Sequence, residues 1–169
     1  PGPALAAAGF AADGAEPVAA EAYGRLWRGL ARAMEDEFLG LGARPMRPGS
    51  VVMLCHAVRT SGTLERGLRR ILRFLAALIE EPRGELVVED GLAQIVLHET
   101  DAPRSAFAYR THWIILHGVV CWLVGRRLAL RLVDFRCAAP EGDEDYARFF
   151  GAPVGFSRPV SRIAFDARH

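Results

Sequence analysis

At 169 residues, 51% of them apolar, the chain is about one domain long and can close an ordinary hydrophobic core without disulfides. Its 21 basic side chains, all arginine, face 20 carboxylates for a formal charge of +1, which leaves no net field to draw it onto the polyanionic surface of a nucleic acid. Three cysteines, Cys55, Cys121 and Cys137, include no CxxC pair, which argues against a secreted disulfide framework or a thiolate zinc knuckle and fits the reducing cytoplasm.

The Ala-rich opening from Pro3 to Ala12 has no basic segment before it and is followed by Asp13 and Glu16, so it is not read as an export signal. The first sixteen residues are expected to be loosely held. From Val18 to Leu41 the apolar positions Ala22, Leu26, Leu30, Ala33 and Phe38 recur near helical spacing, with Arg25, Arg28, Arg32, Glu35 and Asp36 on other faces, which predicts a surface helix. Pro45, Pro48 and Gly49 interrupt it, and Val51 to Arg59 reads as a short apolar helix. After a turn at Ser61 and Gly62, Thr63 is a candidate N-cap. Glu65 suits the positive first turn, and Leu64, Leu68, Ile71, Leu72, Leu75, Leu78 and Ile79 form one stripe down to Glu80.

Past Pro82 the period changes. Glu85 to Glu89 and Leu92 to Glu99 are β-rich runs flanking Asp90 and Gly91, a dipeptide suited to a type I′ hairpin turn. Ser105 to Gly125 is helical again, and its second half is apolar on nearly every face, so this helix should be central or sit at a subunit contact. Its apolar run from Trp113 to Gly125 contains His117 and falls short of the roughly 18 to 20 apolar residues of a membrane span. Leu128 to Arg136 reads as a third strand, Gly142 to Phe150 as a short helix, and Pro153 to Phe156 and Val160 to Phe165 as closing strands. The expectation is a single α+β domain, helices packed on a small, mostly antiparallel sheet.

No GxSxG elbow, P-loop, GxGxxG after a strand, HExxH or EF-hand loop is present, and no histidine sits in a recognisable nucleophile–base arrangement. An enzyme is therefore the least supported class. His117 and Cys121, four residues apart on one helical face, are the most metal-like feature, with Cys55 and His56 as possible companions. They read more simply as small core residues and a core histidine satisfied by one backbone carbonyl, so no metal is assigned. Arg66, Arg69, Arg70 and Arg73 read as a solvated face partly paired with Glu65 and Glu80 rather than a phosphate-binding stripe. Glu141, Asp143, Glu144 and Asp145 read as the acidic start of a helix rather than as metal ligands. Tyr109, Trp113 and His117 share a four-residue stripe that either lines a pocket or belongs to the core.

The tail containing Tyr146, Phe149, Phe150, Gly151, Pro153, Val154 and Phe156, then Ile163, Phe165 and Asp166, resembles the end of the arabinose-binding-type N-terminal domain of AraC/XylS-family transcription regulators. Arg47 to Ser50 with Met53 to Ala57, then Thr63 and Leu64, resembles the start of that family's amphipathic helix, and Trp122 to Leu128 resembles its central helix-to-strand junction. Where a subfamily carries cysteine in the Phe-Gly-Cys-Pro segment, this chain has Ala152, which speaks against a thiol role there.

The resemblance implies a bacterial regulator in which residues 1–169 form an effector-binding and dimerisation domain, joined in the whole protein to a C-terminal helix-turn-helix domain that holds the DNA. Opening on Pro rather than Met, the chain reads as a piece of something longer. The near-neutral charge agrees with a domain that leaves DNA contact to another. A homodimer, a small-molecule effector such as an amino acid or catabolite, and a cytoplasmic location follow from the resemblance, with no cofactor and no membrane contact. The long helices do not suit the cupin barrel of the arabinose regulator itself, so no sugar is inferred. Polar or aromatic groups on otherwise apolar elements are the candidate ligand contacts: His56, Arg59, Tyr109, Trp113, His117 and Phe135. The competing expectation is a redox or metal sensor built from Cys55, His56, His117 and Cys121.

Overall fold

The computed structural model describes residues 19–100 and 102–168, so the expectation for the first sixteen residues lies outside the described part. In chain order the elements are α1 (Ala20–Met34), α2 (Ser50–Val58), α3 (Leu64–Ile79), β1 (Arg83–Glu89), β2 (Leu92–His98), α4 (Ala106–Val124), β3 (Leu130–Asp134), α5 (Glu144–Phe150), β4 (Val154–Gly155) and β5 (Ser161–Asp166).

Helix α1 ends earlier than its apolar period suggests. Glu35 turns left-handed, and the buried Asp36 carboxylate accepts hydrogen bonds from the backbone N–H groups of Phe38, Gly40 and Met46 at 2.7–2.8 Å. Three donors on one carboxylate outcompete a further helical turn, because a short acidic side chain offers the backbone a partner that the helix ladder does not. Glu37 then accepts from the N–H groups of Gly49 and Val51, which seats the start of α2. Helix α3 begins as expected: Thr63 Oγ1 accepts from Arg66 N–H at 3.3 Å, and Leu68, Ile71, Leu72, Leu75 and Ile79 are buried.

The hairpin between β1 and β2 turns at Asp90 and Gly91, both with positive φ (51° and 76°), as a type I′ turn demands. The sheet order is β1-β2-β5-β3-β4, antiparallel throughout except for the parallel β3–β4 pair. Leu86, Ile95, Ile163 and Val133 fall in one row across the four longer strands, and all are buried. The next row, on the opposite face, is Glu85, Val96, Arg162 and Asp134, so the sheet alternates between a helix-covered apolar face and a partly open polar one. Helix α3 packs on β1 at Gly84, where a Cβ would meet Leu72 Cδ2 at 2.5 Å.

Helix α4 starts at Ser105, whose Oγ accepts from Ala108 N–H, and ends at Gly125. Ala108, Tyr109, Thr111, Trp113, Leu116 and Val119 are buried at different angles around it, which makes it the central helix, while Phe107 and Trp122 stay exposed. Strand β3 is shorter than its apolar run because Leu128 leaves the sheet to bond α4. Its N–H donates to Cys121 Sγ, and its carbonyl accepts from His117 Nε2. The five helices and five strands among the described residues form one α+β domain. No described helix is long and apolar enough to cross a membrane.

Candidate functional site

Four-residue spacing along α4 places Trp113, Ile114, His117, Gly118 and Cys121 on one side of the helix. Arg127, from the loop after α4, and Phe149 and Phe150, from α5, close the other sides of a cleft of about 410 Å³. That volume lies in the range of roughly 300–1,000 Å³ usual for small-molecule sites. Gly118 leaves the floor open, since a Cβ there would meet no atom within 4 Å.

The polar groups of this cleft are mainly donors. Trp113 is fully buried and its indole Nε1 has no hydrogen-bond partner. Arg127 reaches the carbonyls of Phe149 and Phe150 through long contacts of 3.5 and 3.4 Å, and pairs with no carboxylate among the described residues. His117 Nε2 lies 2.8 Å from the Leu128 carbonyl, which can only accept, so Nε2 carries the proton and Nδ1 is left as the acceptor. Burial lowers the His117 pKa, partly offset by that carbonyl, and the imidazole is neutral at pH 7. Cys121 Sγ sits 3.5 Å from the same Nε2.

Behind the cleft lies an aromatic cluster centred on Phe135. Its ring meets Tyr109, Tyr146, Phe150 and Phe156 at centroid distances of 5.1–6.1 Å. The Arg110 guanidinium lies over the rings of Phe107, Tyr146 and Phe149 at 5.2–5.9 Å, within cation–π range. Phe150 belongs to both the cluster and the cleft wall, so Tyr109 and Phe135 support the site from behind rather than line it.

The N-terminal end of α4 is held by a buried polar latch. Tyr109 Oη donates to Glu99 Oε1 and accepts from Arg104 N–H at 3.1 Å. Glu99, its side chain 3% exposed, also pairs with Arg104 at 3.4 Å and Arg136 at 3.6 Å. Burial first, then the bond to Glu99, pushes the Tyr109 phenol up to about 12. His112, on the next position around the helix, packs edge-on to Trp113 and Phe38. Burial, and after it the charge of Arg104, lowers its pKa to about 4.

Of the six candidate contacts, Trp113 and His117 meet in the cleft and Tyr109 and Phe135 stand behind it. His56, on α2, and Arg59, just past its end, are exposed and do not line it. Arg127, Phe149 and Phe150 escaped sequence reasoning, because nothing local shows that the loop after α4 and the last turn of α5 meet across Trp113. His117 does have the single backbone carbonyl expected of a core histidine. Among the described residues no group of three or more His, Cys, Asp or Glu is placed to hold a metal ion. On α3, Arg69 pairs with Glu65 as expected, while Glu80 pairs with Arg44 instead.

Two other hollows are less suited. One of about 550 Å³ on the open sheet face carries Asp134, which pairs with both Arg158 and Arg162. One of about 320 Å³ lies between the start of α3 and the sheet, and its charged members Glu65 and Arg168 are committed to Arg69 and Asp166.

A family model described as "Arabinose-binding domain of AraC transcription regulator, N-term" matches residues 1–169. No match among curated proteins accompanies it. With its whole length covered, the chain belongs to this family of N-terminal domains of AraC transcription regulators.

Proposed function

We propose that this regulatory domain binds a small-molecule effector in the cleft between α4 and α5 and passes its occupancy to a C-terminal helix-turn-helix domain of the same cytoplasmic regulator. The observation that carries this is an open cleft of small-molecule size whose rim holds the exposed Arg127, paired with no carboxylate among the described residues, beside the apolar walls of Ile114, Phe149 and Phe150. A guanidinium without an anion offers an acidic ligand a charge-assisted hydrogen bond.

An effector acts by binding one arrangement of the domain better than another. Filling the cleft would press on the α4 face that holds Leu128 through His117 and Cys121. Leu128 leads into β3, which pairs with β5, the last strand of the described residues. The homodimer belongs to the same proposal: two copies present two DNA-binding domains, and the effector biases their spacing.

A thermal-shift screen of amino acids and catabolites against the purified domain tests this. A raised melting temperature for one compound class, abolished by Arg127→Gln, is the expected result. Uniformly flat melting temperatures would instead favour a domain that only dimerises.

A further inference from the structure

We infer, resting on the effector reading of the α4–α5 cleft, that the ligand is a carboxylic acid with an apolar, ring-sized body and no ammonium group. The chemistry of the lining excludes the alternatives. The Arg127 guanidinium is a donor only, and no carboxylate lines the cleft. Acceptors are scarce: the carbonyls of Phe149 and Phe150 already receive Arg127, Cys121 Sγ already receives Leu128 N–H, and His117 keeps one ring nitrogen. A sugar brings a hydroxyl hydrogen on nearly every carbon and would leave most of them without acceptors. An amine or a zwitterionic amino acid would bring a cation beside Arg127 with no anion to receive it. A carboxylate meets Arg127 by charge, and the remaining walls, Ile114, Phe149 and Phe150, are apolar and suit a flat body.

The test uses the whole 169-residue domain with four probes of similar size: phenylacetate, phenethylamine, L-phenylalanine and L-arabinose. Affinity is measured by calorimetry. The indole N–H signal of Trp113 is identified in the ¹H–¹⁵N spectrum as the one lost in Trp113→Phe, and is followed through each titration. Phenylacetate is expected to bind, to shift that signal, and to lose about tenfold or more in affinity in Arg127→Gln, a substitution at an exposed position that leaves the core intact. The other three are expected to bind about tenfold or more weakly. If L-arabinose or phenethylamine matches phenylacetate while moving the Trp113 signal, or if none of the four binds at millimolar concentration, the acid assignment is overturned. If a probe binds with the Trp113 signal unmoved and Arg127→Gln without effect, the cleft itself is the wrong site.

Discussion

His112 and Tyr109 sit three residues apart on α4 and make opposite demands on pH. His112 titrates near pH 4 in the fold and near 6.5 in an unfolded chain, so both states are neutral above pH 6.5. Below that the unfolded chain takes up the proton first, and stability falls as pH drops from about 6.5 to 4, by an amount on the order of 2–4 kcal/mol. Urea unfolding at neutral and mildly acidic pH reads this directly, and His112→Leu should flatten the dependence. Tyr109 is raised to about 12 in the fold, so its contribution is present below pH 10 and is lost above it. Tyr109→Phe removes the phenol from the buried Glu99 carboxylate, which keeps Arg104 and Arg136. The expected cost is about 1–3 kcal/mol by urea unfolding, with the fold retained.

Among the elements, α1 shows where pattern reading stops being sufficient. Its apolar period runs on to Phe38, yet the helix ends at Met34 because the Asp36 carboxylate gathers three N–H groups, one of them ten residues away at Met46. Asp36→Ala strands those donors and is expected to cost about 2–4 kcal/mol, with Asp36→Asn losing less because one acceptor oxygen remains. Gly84 is a second such place: Gly84→Ala forces a methyl against Leu72, and a thermal melt should show about 1–3 kcal/mol lost to overpacking. Signals confined to a few residues were legible. Thr63 caps its helix, and Asp90 with Gly91 makes the hairpin, because each acts through its own backbone or that of the next turn. The early start of α4's partnership with Leu128 was not, since a strand's apolar run looks the same whether its first residues join the sheet or serve a helix.

At the scale of the whole molecule, periodicity was enough to set out an α+β domain with helices packed on a mostly antiparallel sheet. The α4 stripe of Tyr109, Trp113 and His117 was visible as a pocket-or-core ambiguity: Tyr109 and Trp113 are fully buried in the core, and Trp113 and His117 border the cleft. What one sequence does not show is which distant segment faces such a stripe. Here the chain returns after β3 to set Phe149 and Phe150 across from Trp113, and it brings Arg127 to the rim.

The central claim is that effector occupancy of this cleft is what the domain senses. Amide hydrogen exchange, compared with and without a saturating hit from the thermal-shift screen, tests it most directly. The account predicts slowed exchange in residues 113–121, 127–128 and 149–151, with a smaller effect reaching β5 through β3. Protection confined to residues 63–68, 86–93 and 165–168, around the hollow between α3 and the sheet, would contradict it.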